Sequence, residues 1–146
     1  MSFSVASLFS LSLDTKPHWG SLSPQEMIEH LIFSVKVSSG KIESKIVTPK
    51  EKINKAVSFV HSKKPMPKNL VVPFFKNPPP LVFSSIKESV SVLEKELLFF
   101  HVFFKKNPAK KTAHPVFGWL SYKEWCLLHE KHFRHHFEQF GLSLLF

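Results

Sequence analysis

The segment Ser121–Gly141, SYKEWCLLHEKHFRHHFEQFG, predicts the final helix of the protein and decides the fold class. Ser121 is a favourable N-cap, and Glu124 three residues later completes a capping-box pattern. Gly141 can adopt the left-handed conformation that ends many helices. A stripe of residues at steps of three or four runs along this helix and should face the interior. The stripe comprises Trp125, Leu128, His129, His132, His136, Gln139 and Phe140.

Three further helices are predicted upstream of this segment. Ser23–Pro24 and Thr48–Pro49 each place a capping residue before a proline, which is typical of a helix start. The predicted limits are Ser23 to Gly40, Thr48 to Ser62, and Ser84 or Ser85 to Lys106. No alternation typical of an extended sheet is visible in the sequence. An all-α four-helix bundle is therefore the expected fold.

Between the second and third helices lies a proline-rich stretch, KKPMPKNLVVPFFKNPPP. Each proline removes a backbone donor, so regular structure cannot continue far and a long loop is expected. Its apolar residues predict that the loop covers apolar surface. These residues are Val71, Val72, Phe74 and Phe75.

Length and composition favour one domain spanning residues 1–146, because 43% of the residues are hydrophobic and can form a sizeable core. The single cysteine, Cys126, cannot form an internal disulfide, so a cytoplasmic location is expected. The apolar opening lacks the basic start of a signal peptide and is expected to belong to the fold. No stretch reaches the roughly 20 apolar residues of a membrane-spanning helix, so membrane insertion is not expected.

A net charge of +9 raises the question of a polyanion partner. The lysines, however, occur as scattered pairs, and Arg134 is the only arginine. Arginine is the residue best suited to bidentate contacts with phosphate and guanine. A nucleic-acid function is therefore not favoured, and a solvated basic surface is the simpler interpretation.

The histidines of the last helix predict a metal site. His132 and His136 are four residues apart, which places their Cβ atoms about 5 to 6 Å apart on one helix face. Both imidazoles can then reach one ion. His30 lies on the inward side of the first helix and supplies a third donor. A histidine pair alone is a modest signal, since one ring could instead bond to a core carbonyl.

Two segments resemble the DinB-like superfamily of metal-binding helical bundles, in the branch with an HPxFG loop before the last helix. They are HWGSLSPQEMIEHL (His18–Leu31) and HPVFGWLSYKEWCLLHEKHFRHHFEQFGL (His114–Leu142). The resemblance implies an up-down-down-up four-helix bundle. It also implies one divalent ion, with zinc, nickel or manganese as candidates, bound by the residues matching His30, His132 and His136.

The chain departs from this family after the last matched ligand. Better-known members continue with Arg-Gly-Gln, whereas this chain has Phe137-Glu138-Gln139, so only the glutamine is retained. Gln139 is expected to hydrogen-bond a ligand or a metal-bound water. His129 and His135 are additional candidates for a ligand or a proton carrier.

Other polar residues have secondary expectations. Glu29 and Glu138 could orient an imidazole, although a solvated surface position is favoured for both. His114 is expected to fix the loop that precedes the last helix. His18 is expected to anchor the start of the first helix or to approach the mouth of the site.

Three functions follow as hypotheses. A metal-dependent hydrolase or thiol transferase would use the ion to activate water or a thiol against an unknown small-molecule substrate. A non-catalytic bundle stabilised by its ion, in a stress response or a structural role, is the alternative. Polyanion binding is the third hypothesis. The sequence leaves open whether the protein is an enzyme, and the family resemblance adds a homodimer as a further expectation.

Overall fold

The computed structural model describes residues 3–69 and 77–145. This part of the chain is mostly helical and contains four α-helices and one small antiparallel sheet. The helices are α1 (Pro24–Ser38), α2 (Ile53–His61), α3 (Ile86–Lys106) and α4 (Tyr122–Gln139). The expectation of four helices at these places is confirmed. Helix α1 packs along α3, and α4 contacts both α1 and α2.

The predicted serine caps begin α1, α3 and α4 as expected, whereas Thr48 does not cap α2, which begins at Ile53 after a short 3-10 turn. The Ser23 hydroxyl accepts a hydrogen bond from the Glu26 amide at 3.2 Å, and the Glu26 carboxylate accepts from the Ser23 amide at 2.7 Å. Ser121 and Glu124 form the same reciprocal arrangement at the start of α4. Two otherwise unpaired donors are satisfied at each helix start, which fixes where α1 and α4 begin.

The all-α expectation is confirmed only in part, because a small two-stranded sheet accompanies the helices. Strands β1 (Lys111–His114) and β2 (Gly118–Ser121) form an antiparallel hairpin directly before α4. Thr112 and Leu120 face the interior from paired positions, whereas Trp119 faces outward. Each strand has only four residues, so the alternation is too short to stand out in the sequence.

The HPVFG segment forms the turn of this hairpin. His114 Nδ1 accepts hydrogen bonds from the amides of Val116 and Phe117 at 3.0 and 3.3 Å. Gly118 follows with a φ of 76°, a left-handed conformation in which side chains are strained. The prediction that His114 fixes this loop is therefore confirmed.

A buried polar network connects the hairpin, α1 and α4. The Trp125 indole N–H donates to Thr112 Oγ1 at 2.7 Å, and this hydroxyl donates to the Ser38 carbonyl, also at 2.7 Å. The Ser38 hydroxyl donates to the Val35 carbonyl and accepts from His129 Nε2 at 2.8 Å. Because these groups are buried, each bond avoids the cost of an unpaired polar atom. The network fixes α4 against the C-terminal end of α1.

Both ends of the described chain pack on the helices. Val5, Leu8 and Leu11 are buried in the core, so the apolar opening belongs to the fold as predicted. Leu144 is buried near the other end, and Ser4 pairs with Leu145 in an isolated bridge. Within the described ranges, no helix is long and apolar enough to cross a membrane.

The expectation for the proline-rich loop cannot be compared with the structure. Val71, Val72, Phe74 and Phe75 lie outside the described residues. The described part of this connection ends at Asn69 and resumes at Asn77.

Candidate metal centre

Three histidines from opposite ends of the chain meet between α1 and α4. His132 Nε2 lies 2.8 Å from His30 Nε2 and 3.1 Å from His136 Nε2. The potential donor atoms of the three side chains all lie within 4.8 Å of one another. The structure thus brings together the three residues that the sequence singles out as metal ligands.

The last turn of α4 positions His136 through Gln139. The Gln139 side-chain oxygen lies 2.8 Å from His136 Nδ1, and its side-chain nitrogen donates to the Trp19 carbonyl at 2.8 Å. In addition, the His18 amide donates to the Gln139 carbonyl at 2.7 Å. A Cβ atom at position 20 would lie 2.9 Å from the side-chain nitrogen of Gln139, which is too close. Gly20 therefore leaves space for the Gln139 side chain.

These bonds decide which nitrogen of His136 carries hydrogen. The Gln139 oxygen can only accept, so His136 Nδ1 must donate and its Nε2 keeps a lone pair. This lone pair is directed at His132 Nε2, which also lies close to His30 Nε2. A neutral ring nitrogen has one in-plane position for a hydrogen or a lone pair. A hydrogen on His132 Nε2 therefore cannot form linear hydrogen bonds to both His30 and His136. A cation between the three rings would instead accept one lone pair from each of them.

Burial keeps the three imidazoles neutral. It lowers the pKa of His30 to about 4, with His135 contributing repulsion, and that of His136 to about 3, with repulsion from His30. Burial and the neighbouring imidazoles lower the pKa of His132 well below its usual value. Metal ligands must be deprotonated, so the rings are in the form that binds an ion near neutral pH.

The spacing and exposure of the donors suit an open transition-metal site. In a tetrahedral site with metal–nitrogen bonds of about 2.0 to 2.1 Å, neighbouring donors lie roughly 3.3 Å apart. The two separations from His132, 2.8 and 3.1 Å, are somewhat shorter than that value. His30 and His132 are both partly exposed. Three ligands with access to solvent are typical of catalytic sites, whereas structural zinc sites usually have four closed ligands.

The other candidate histidines do not join this group. His129 is fully buried between aromatic rings, and its Nε2 donates to the Ser38 hydroxyl. It is thus part of the buried polar network. His135 contacts the His136 ring at a centroid distance of 5.0 Å but lies at the rim of the triad. His18 is exposed, and its amide anchors the chain that leads into α1.

Glu29 has a role that the sequence did not indicate. Its carboxylate accepts hydrogen bonds from the amides of Val82 and Phe83 at 2.8 and 3.1 Å, and from the Gln25 side chain at 3.1 Å. The expectation of a solvated Glu29 is therefore wrong, and these contacts secure the chain entering α3. Glu138 is exposed, as favoured.

Cys126 is half-buried on α4, and burial raises the pKa of its thiol. A thiol that stays protonated is a poor nucleophile. Its position therefore supports a packing role.

Replacing Gln139 should weaken metal binding without removing a ligand. In Gln139→Ala, the hydrogen bond that orients His136 is lost, and loss of such a partner typically lowers metal affinity about 10–100-fold. Competition with a chromophoric chelator measures this affinity. Gln25→Ala is the matched control, because Gln25 is equally buried but bonds to Glu29 and the Phe83 carbonyl. Equal zinc affinity in the Gln139 variant and the native protein would contradict the assigned orienting role.

Comparisons with protein-family models, with curated proteins and with solved structures find no match to this chain.

Proposed function

We propose that this protein binds one divalent transition-metal ion through His30, His132 and His136 and uses it in a hydrolytic or thiol-transfer reaction. The observation that carries the proposal is the convergence of three Nε2 atoms, with separations of 2.8 and 3.1 Å from His132 to the other two. Zinc, nickel and manganese are the candidate ions, because an all-imidazole set does not select strongly among them.

A bound divalent ion would lower the pKa of a coordinated water or thiol and polarise a carbonyl group. Residues around the three histidines orient the ligand rings. Gln139 fixes the ring of His136 and is itself fixed by the Trp19 carbonyl. His135 lies beside His136, with a ring-centroid distance of 5.0 Å, and is the candidate proton carrier.

Partial exposure favours catalysis over a purely structural ion. His30 and His132 are partly exposed as whole residues although their rings are largely buried, and the group found among the described residues has three donors, not four. Such an arrangement leaves coordination positions for a substrate. A non-catalytic ion that stabilises the bundle is the second candidate. A fourth protein ligand, which would leave no coordination position for a substrate, would favour it.

A DinB-like bundle is the fold that we propose for the chain as a whole. Its support is the HPVFG turn before α4 and the three histidines at the positions that resemble that family. The hairpin at the HPVFG segment gives this motif a concrete structural role. The up-down-down-up order and a homodimer belong to the same proposal.

Metal-dependent turnover tests the catalytic proposal. Protein without a histidine tag is stripped with chelator, reloaded with zinc, nickel or manganese, and assayed on ester, amide and thiol-transfer substrates. We expect turnover that appears on reloading and is lost again with chelator. An ion at a thousandfold excess over its Kd should also stabilise the fold by about 4 kcal/mol. Such stabilisation with no turnover in any assay would contradict catalysis and favour the structural role.

A further inference from the structure

A fourth imidazole, an indole and an ammonium group form the rim of the histidine triad. The ring of His135 lies 5.0 Å from that of His136 and 5.5 Å from that of Trp19, measured between ring centroids. Lys68 Nζ lies 4.2 Å from the centre of the Trp19 ring. A continuous set of contacts therefore connects the inferred ligand His136 to a cation at the surface. We name Trp19, Lys68 and His135 the rim cluster.

The rim cluster offers hydrogen-bond donors. The Trp19 indole N–H is buried and has no acceptor among the described residues. A buried donor without an acceptor is unfavourable, and a bound acceptor group would satisfy it. Lys68 is exposed and keeps its N–H groups available beside the ring. An indole N–H and an ammonium group both donate and do not accept.

The charges around the rim cluster favour an anion, although one carboxylate is nearby. Two charged side chains of opposite sign act on His135, the exposed carboxylate of Glu138 and the exposed ammonium group of Lys68, and the His135 ring also hydrogen-bonds to the Met66 backbone. Glu29, the acidic residue beside His30 in the chain, is engaged with backbone amides. A net charge of +9 adds a long-range attraction for anions.

We propose that the rim cluster binds the carboxylate or another anionic group of a substrate whose reactive end coordinates the ion between His30, His132 and His136. The inference rests on the proposed function and narrows it to anionic substrates. Trp19 supplies a flat apolar surface and a donor, and Lys68 supplies the charge. An anion placed here would be held while its other end reaches the ion.

Matched thiols of equal chain length that end in a carboxylate or in a hydroxyl group test this inference. The cobalt-loaded protein is titrated with 3-mercaptopropionate and 3-mercaptopropanol, and with 6-mercaptohexanoate and 6-mercaptohexanol. The charge-transfer absorption of the cobalt–thiolate bond reports binding in each case. We expect one acid at least to bind about threefold to tenfold more tightly than its alcohol, which is the size of a partly exposed ion pair. Thiols of two lengths are used because the carboxylate must reach Lys68 while the sulfur binds the ion.

Two lysine variants distinguish the contribution of the rim cluster to thiol binding from that of the metal ion. In Lys68→Gln, the ratio of the acid's affinity to that of its alcohol should fall towards one, while both alcohols keep their affinity. Lys63→Gln is the matched control, because Lys63 is an exposed lysine of the same connecting segment, and its preference should match that of the native protein. Equal binding of acid and alcohol in both native pairs, or a preference that survives in Lys68→Gln, overturns the anionic subsite alone. Failure of cobalt to bind, or of any thiol to reach it, overturns the proposed function as well.

Discussion

His132→Ala should abolish stoichiometric metal binding. His132 Nε2 is the nitrogen closest to both other rings, at 2.8 and 3.1 Å, so its removal leaves two imidazoles on different helices. We expect affinity to fall by more than the 10–100-fold that is typical when only an orienting partner is lost. Elemental analysis of protein purified without a histidine tag measures the change, from one equivalent in the native protein to a small fraction in the variant.

His61→Ala provides the matched control for this experiment. His61 is an exposed histidine on α2, and its contact with Glu124 is long at 3.4 Å. Its removal should leave one equivalent of metal in place. Equal metal content in His132→Ala and His61→Ala would contradict the site. Circular dichroism of both variants confirms that a loss of metal is not a loss of helices.

Trp125→Ala should cause the largest loss of stability among the polar and aromatic contacts described above. Trp125 is fully buried, and its indole N–H bonds to Thr112 Oγ1 at 2.7 Å. The substitution leaves a large cavity and removes the hydrogen bond between α4 and Thr112 of the hairpin. Replacing a buried tryptophan by alanine typically costs about 3–5 kcal/mol. Thermal unfolding should show a fall of roughly 6 to 20 °C.

Trp119 is the matched control, since the same residue type lies on β2 with its side chain in solvent. Trp119 is 62% exposed, whereas Trp125 is fully buried. Trp119→Ala should change the free energy of unfolding by no more than about 0.5 kcal/mol. A similar loss of stability in both variants would show that the burial difference between the two side chains does not decide their contributions.

The starts of α1, α3 and α4 could be predicted because a local capping signal marks each of them, whereas α2 begins at Ile53, beyond its predicted cap at Thr48. Ser23–Glu26 and Ser121–Glu124 are capping boxes within four residues of sequence, and each begins a helix in the structure. The histidine pair of α4 was predictable for the same reason, because a spacing of four fixes two side chains on one face. His30 could be placed on the inward face of α1, but sequence spacing does not show that this face meets the histidine pair on α4.

The hairpin and the roles of several polar residues depend on tertiary contacts. Glu29 looks like a surface residue of α1, yet its acceptors are used by amides of Val82 and Phe83, more than fifty residues away. His129 lies on the predicted inward stripe, but whether it binds metal or Ser38 depends on where α1 ends against α4. Main-chain partners such as the Trp19 carbonyl leave no signal in the sequence.

X-ray absorption spectroscopy of the zinc-loaded protein, purified without a histidine tag, reads the ligands of the ion itself. We expect one zinc per chain, with three imidazole nitrogens at about 2.0 to 2.1 Å and one or more light atoms completing the coordination. A sulfur neighbour at about 2.3 Å, or fewer than three imidazoles around the ion, would contradict the His30, His132 and His136 site.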